Sequence, residues 1–375
     1  MRKVESKTVD DLTAKLNTAR MKERENELFR LYGNRWSEYR RNFREARDFE
    51  NEFEFPLYVM LEQTYKCNLA CPTCVQGHKA FRAKYDFDGT MPRELFERIV
   101  LEGEEHGLPS LATHNNDEPL LVKDLEDRIS FARKHGVMDV IMTTNGLLFT
   151  EDRIKKIIDA GVTRILFSID AHTEETYDIV RPRKSRGRPG LEKVKWAIEK
   201  TISYRESQNL KLPIVRVALV VNAYNQHEIY DFIKEWVDIV DYVDIQCLLL
   251  GGVEKYNQTL RPDHIGEKVE DFRCNSPWGR MVVRGNGDVI VCENFQGADT
   301  VIGNVNVSSM HEIYNSDLAK RLRRDGRDGL YKEPACIECA NNVYTIDVGK
   351  YLSNPPVRSV GSWGILSEVI DAKNI

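Results

Sequence analysis

An α/β fold, with a parallel sheet covered by helices, is what this 375-residue chain predicts. Three observations lead there. From Phe55 short β-type runs alternate with helical stretches across about residues 55–250. Helical stretches such as PRELFERIVLEGEEHG and VKDLEDRISFARKHG end in glycine, a frequent helix C-terminal signal. The runs also alternate internally. In TRILFSID, Ile165, Phe167 and Ile169 share one face, suited to covering helices, while Arg164, Leu166, Ser168 and Asp170 share the other. The pattern fits an open doubly wound sheet or a partial barrel. In both, function gathers at the carboxyl ends of the strands.

In chain order, residues 1–54 are dense in both charge signs. Leu28, Leu31, Tyr32, Trp36, Tyr39 and Phe43 recur at helical spacing, which predicts one or two amphipathic helices forming a docked structural flap. The six predicted strands are PLYVMLEQT, SLATHN, DVIMTTN, TRILFSID, IVRVALVVN and YVDIQCLLL. In the fifth, Val215, Val217, Leu219 and Val221 take the helix side and Arg216 and Asn222 point the other way. RPRKSRGRPG (residues 181–190) reads as a solvated basic linker, Arg181 apart. The βα rhythm stops after Gly251. Residues 251–350 form a second unit, with a hairpin in MVVRGNGDVIVC turning at GNGD and a short helix around residues 309–324. Residues 351–375 are a tail.

A net charge of −5 gives no broad pull toward nucleic acid or a membrane surface. No apolar run approaches the ~18–20 residues of a membrane span, and MRKVESKTVDDL lacks a signal-peptide core. A cytoplasmic protein is expected. There, eight cysteines point to metal or catalysis rather than disulfides.

Three of them lie in CNLACPTC, at Cys67, Cys71 and Cys74, directly after the first predicted strand. Structural zinc sites are normally closed by four protein ligands. His78 makes a zinc knot of three cysteines and one histidine one reading. An iron–sulfur cubane held by three thiolates, with one iron open, is the other.

CNLACPTC after the first strand of a βα array resembles the signature of the radical S-adenosylmethionine (radical SAM) superfamily. The resemblance spans about residues 55–250 and implies a partial (β/α)6 barrel. It implies that Cys67, Cys71 and Cys74 hold a [4Fe–4S] cluster whose open iron takes SAM. Reductive cleavage then gives a 5′-deoxyadenosyl radical that abstracts hydrogen from the substrate. The family often has an aromatic residue before the third cysteine, where this chain has Thr73. Its Gly-Gly-Glu-Pro-like turn reads HNNDEPLL here. Asn116, Asp117 and Glu118 occupy the SAM-contacting place, and both glycines are absent. By position, Asn145 after the third strand and Ser168 and Asp170 at the fourth fall near SAM. Arg181 matches an arginine that grips the SAM carboxylate, a task suited to a guanidinium. Asn222 and Gln246, at the ends of strands five and six, are candidates for SAM or substrate.

Cys274, Cys292, Cys336 and Cys339 follow the sixth strand. Four thiolates make a closed site, for which tetrahedral zinc is one reading. The arrangement around CNSPWGRMVVRGNGDVIVC and CIEC resembles the SPASM or twitch extension of radical SAM enzymes, which implies an auxiliary [4Fe–4S] cluster. No cysteine follows Cys339, so one such cluster is expected, fully ligated and carrying electrons.

Two cofactors thus emerge, SAM and a pair of [4Fe–4S] clusters, one SAM-binding and one auxiliary. An external one-electron reductant such as flavodoxin or ferredoxin is the implied partner. Nucleic acid and membrane are not. The reaction expected is oxidation of a small sugar- or aminosugar-like molecule, as in an aminocyclitol dehydrogenase family with a twitch domain. Asp244, Arg216 and Glu62 are candidates to line its pocket, or to form salt bridges inside the barrel. One alternative is epimerisation with Cys247 as hydrogen-atom donor. Cys247 shares parity with the apolar Val243, Ile245 and Leu249, which favours an inert buried thiol. The others are peptide maturation and, from another class, a zinc-stabilised binding module.

Overall fold

The computed structural model describes residues 13–17, 19–79, 87, 89–184, 190–248, 258–263, 265–293 and 300–346. The six predicted strands are all present: β2 (Tyr58–Glu62), β3 (Ser110–Ala112), β4 (Asp139–Thr144), β5 (Arg164–Ser168), β6 (Ile214–Val221) and β7 (Tyr242–Cys247). They are parallel and in chain order. A strand that sequence reading missed, β1 (Thr13–Asn17), pairs antiparallel with β7. At the other edge, β9 (Arg280–Arg284) pairs parallel with β2 and continues into β10 (Asp288–Ile290) and β11 (Val301–Asn304). The sheet thus has ten strands, and the cysteine-rich extension shares it with the βα array.

Alternation decides which face each strand buries. Val59, Leu61, Val140, Met142, Ile165, Phe167, Val215, Val217, Val243 and Ile245 pack in one apolar layer against the covering helices. Among those helices are α3 (Arg93–Glu105), α4 (Leu125–Lys134), α5 (Glu151–Asp159), α6 (Glu174–Val180), α7 (Gly190–Ser207) and α8 (Ile229–Trp236). Thr150 and Thr173 start α5 and α6 by accepting the N–H groups of Arg153 and Thr176.

The opposite face turns inward. Tyr58, Met60, Ala112, Ile141, Ile214 and Tyr242 meet Leu28, Trp36, Tyr39 and Phe43 from α1 (Ala19–Tyr32) and α2 (Asn34–Arg47). The predicted helical flap is therefore two helices, parted at Gly33 with φ 55°. Its apolar stripe seals the interior toward the amino ends of the strands. Leu31, on the same predicted stripe, is instead exposed. Buried ion pairs fix the seal: Arg164 meets Asp139 at 3.0 Å and Glu25 at 2.8 Å.

In the extension, Gly287 (φ 90°) makes the predicted hairpin turn. The single helix expected near residues 309–324 is two, α10 (Met310–Tyr314) and α11 (Asp317–Asp328), because Ser316 restarts the helix by capping the Ala319 N–H. After α11 comes α12 (Pro334–Asn341), and β12 (Tyr344–Ile346) pairs with β8 (Ile265–Lys268). No helix among the described residues is long and apolar enough to cross a membrane. The predicted tail, residues 351–375, lies outside the described residues.

Candidate functional site

The loop after β2 folds back on itself at the carboxyl end of the sheet. The Cys74 N–H donates to Cys71 O (3.0 Å) and the Gly77 N–H to Cys74 O (2.9 Å). A Cβ on Gly77 would lie 2.3 Å from Cys71 O, so only glycine fits. The Ala70 N–H donates to Pro182 O, the Lys184 N–H to Asn68 O, and Lys184 Nζ to Cys67 O at 3.0 Å. The start of the basic stretch is thus docked on the cysteine loop rather than solvated, held there by backbone pairing that charge composition does not reveal. Residues 185–189 of that stretch lie outside the described residues.

Burial pushes the Cys67 and Cys71 thiols up to about 12 and Cys74 to about 11, with each thiol raised further by another of the set. Three bare thiolates are unfavourable here, and a bound cation would compensate them. His78 bonds Pro72 O at 2.8 Å, which directs its ring to the loop backbone. Among the described residues, no three His, Cys, Asp or Glu side chains converge tightly enough for a single metal ion. An iron–sulfur cubane differs in taking one thiolate per iron. Three soft donors on one tight loop fit such a cluster.

Around the loop stand several residues expected from the sequence. Arg181, half-buried after α6, meets Asp170 at 2.5 Å. Burial lowers its proton affinity, but Asp170 and Cys71 together hold it above the ordinary arginine value. Asp170 (φ 60°) follows β5 and also accepts the Val220 N–H. Asn145 Nδ2 lies 3.8 Å from Cys67 Sγ and donates to Asn68 Oδ1 at 2.8 Å. The Glu118 carboxylate accepts from Thr144 Oγ1, the Asn145 N–H and the Leu120 N–H, tying β3 to β4. Asp117 accepts the Thr64 and Asn115 N–H groups, and Asn116 O accepts from Gln76 Nε2. Ser168 ends β5 opposite Ala218.

Among the described residues Ser168 makes no side-chain bond to this cluster, and two other expected residues do not join it either. Asn222, fully buried, uses its amide in the turn after β6, donating to Val220 O and accepting the Tyr224 N–H. Gln246 pairs along the sheet with Val220 and Thr13. β7 runs on to Cys247, which pairs with Val221, but the Cys247 side chain lies outside the described residues. Gly77, Gln76 and Lys184 went unrecognised in the sequence. A glycine three residues after the last cysteine was the one local signal.

Below the loop, the interior carries charge. Arg216 Nε stands 3.9 Å from Asp244 Oδ2, and Arg216 Nη1 donates to the Tyr242 hydroxyl. Arg284 Nε lies 3.8 Å from Glu62 Oε1, and Glu62 Oε2 accepts from Asn115 Nδ2 at 3.0 Å. Burial pushes the Glu62 carboxyl up, against the opposing Arg284.

The later cysteines form a second group. Cys274 precedes the short helix α9 (Ser276–Gly279), Cys292 follows β10, and Cys336 and Cys339 sit on α12. Burial raises Cys274, Cys292 and Cys336, the last to about 11. Cys274 and Cys292 each feel Cys336 and Cys339, which places all four in one electrostatic neighbourhood. α11 closes on this group: the Cys274 N–H donates to Gly326 O at 3.0 Å, and a Cβ on Gly326 would lie 2.5 Å from Cys274 O.

A partial α/β barrel with a thiol-rich loop at its mouth and a second thiol group in its extension defines an iron–sulfur enzyme. Residues 61–235 match the Radical SAM superfamily and residues 274–340 match SPASM, an iron–sulfur cluster-binding domain. The chain belongs to the radical SAM superfamily and carries a SPASM-type extension. SAM, a [4Fe–4S] cluster and auxiliary iron–sulfur binding follow from these domains, and the chemistry is a SAM-dependent radical reaction.

Among curated relatives, the tungsten-containing aldehyde ferredoxin oxidoreductase cofactor-modifying protein of Pyrococcus furiosus is 24% identical over 325 residues, covering 76% of this chain and 87% of the relative. The PqqA peptide cyclase of Bradyrhizobium diazoefficiens is 27% identical over 210 residues, covering 56% of this chain and 50% of the cyclase. Among solved structures, anSMEcpe with bound AdoMet superposes with a TM-score of 0.55 at 17% identity, covering 77% of this chain and 86% of that one. BtrN in complex with AdoMet and 2-DOIA gives 0.50 at 17% identity, covering 76% and 91%. These two likenesses establish the fold.

Proposed function

We infer that this enzyme oxidises a small, polar, sugar- or aminosugar-like molecule. When bound, SAM on the first cluster supplies a hydrogen-abstracting radical and an auxiliary cluster supplies a one-electron acceptor. Cys67, Cys71 and Cys74 would hold the first cluster, and Cys274, Cys292, Cys336 and Cys339 a single auxiliary one. Arg181, oriented by Asp170, would take the SAM carboxylate, with Asn145 and the turn from Asn116 to Glu118 framing the same mouth. A one-electron donor such as flavodoxin or ferredoxin would serve it.

The observation that carries the substrate reading is the charged interior layer of Arg216, Asp244, Glu62 and Arg284, sealed from below by α1 and α2. Such a layer suits a compact ligand rich in hydrogen-bonding groups. A peptide substrate is the second reading, favoured by the likeness to PqqA peptide cyclase. Anaerobic reconstitution tests the proposal: about eight irons and reductant-dependent 5′-deoxyadenosine are expected, since two cubanes are proposed. Deuterium passing from a labelled aminosugar into 5′-deoxyadenosine supports the substrate class. Transfer only from a peptide overturns it. Deuterium from heavy water appearing in the product, and lost in Cys247→Ser, would instead make it an epimerase.

A further inference from the structure

His114 stands just beyond β3, within the barrel, and is 3% exposed. Its Nδ1 accepts the Thr143 N–H at 3.0 Å. A ring nitrogen that accepts cannot carry the proton, so the neutral ring holds it on Nε2. The neutral form is favoured: burial, reinforced by the Arg216 guanidinium, pulls His114 down to about 3. Nε2–H is therefore a fixed donor, and among the described residues it has no partner.

Arg216 also faces Asp244, 1% exposed, whose Oδ2 lies 3.9 Å from Arg216 Nε. The other oxygen, Oδ1, is buried and has no partner among the described residues. His114 Nε2–H, just beyond β3, is thus an unfilled donor and Asp244 Oδ1, on β7, an unfilled acceptor, and both face the charge of Arg216. Buried polar groups are rarely left unpaired without a purpose.

We propose that His114 Nε2–H and Asp244 Oδ1 are the two ends of a subsite for a polyhydroxylated small molecule, His114 donating to one hydroxyl oxygen and Asp244 accepting from a second hydroxyl or an amino group. This rests on the small-molecule reading above and names what grips the substrate. Hydroxyls match the pair because each can both accept and donate. A substrate lacking them leaves two buried groups unpaired, which is the strongest form of discrimination a pocket has.

Two measurements test it on the reconstituted, SAM-loaded enzyme. In ¹⁵N-histidine spectra, assigned with His114→Gln, the His114 signal should show a protonated Nε2 and a bare Nδ1 at neutral pH. A protonated Nδ1 overturns the inference. In calorimetric titrations, glucosamine and myo-inositol are set against a Gly-Ser-Gly tripeptide. His114→Phe and Asp244→Asn should each weaken the bound polyol about tenfold, as loss of a buried hydrogen bond implies, with SAM affinity unchanged. His114→Gln, which keeps a donor, should recover most of the loss. Polyol binding that ignores all three substitutions removes the subsite but leaves the small-molecule reading standing. Binding of the tripeptide alone, or of no polyol at all, removes both.

Discussion

Gly77 lies so close to Cys71 that a Cβ on it would meet the Cys71 carbonyl oxygen at 2.3 Å. Backbone on backbone cannot yield as a flexible side chain can. Gly77→Ala should open the CNLACPTC loop, with the rest of the fold intact. The expected outcome is loss of about half the iron and all SAM cleavage, since one of two proposed cubanes is lost. Iron analysis beside a thermal melt checks it.

The extension offers the matching contact. A Cβ on Gly326 would meet Cys274 O at 2.5 Å, where α11 closes on the second thiol group. Gly326→Ala should release about half the iron again, from the other proposed site. SAM should bind as before, with substrate oxidation abolished. Equal loss of SAM binding in both variants would contradict two independent sites.

Asp170 adopts φ 60°, a conformation asparagine tolerates better than alanine. Asp170→Asn therefore removes the charge facing Arg181 while keeping the backbone. Without that partner the guanidinium loses its orientation. SAM affinity should fall about tenfold, the worth of one charge-assisted contact, at unchanged iron content. Calorimetry with SAM reads the first and iron analysis the second.

What was legible beforehand follows from the range of the forces involved. Period-two alternation makes β2 to β7 visible, because Ile165 and Phe167, or Val215 and Val217, must share the helix side. Cysteine spacing makes the two thiol groups visible for the same local reason. Pairings between distant segments are not encoded that way. Nothing near Arg280 announces that it will pair with Tyr58, and nothing in RPRK announces that Lys184 will hold Cys67 O. Asn222 sat at a promising strand end, yet the turn claimed its amide.

Glu228 gives a pH prediction away from both thiol groups. Burial pushes its carboxyl up, but bonds from Thr173, the His172 N–H and Thr176 outweigh burial and hold it below the ordinary glutamate value. A depressed folded-state value means the stabilisation is complete above the unfolded glutamate value and is lost as pH falls through the folded one. Glu228→Gln should therefore melt below the wild type at neutral pH, and the gap should close in the acid range. A gap constant with pH would show that the ionised form contributes nothing.

Arg164 tests whether the helical seal and the reactive mouth are separable. It is wholly buried, at the opposite end of the strands from Cys67, and it joins Asp139 on β4 to Glu25 on α1. Arg164→Ala leaves two carboxylates buried without their cation, a change that costs about 3–5 kcal/mol. Arg164→Met with Asp139→Asn removes a charge from each side and refills the volume, so it should recover much of that loss. Neither variant touches the cysteine loop or the Arg181–Asp170 pair. SAM affinity per folded molecule should therefore match the wild type in both. A loss of SAM affinity that tracks the loss of stability would mean that the seal sets the strand positions on which the mouth depends.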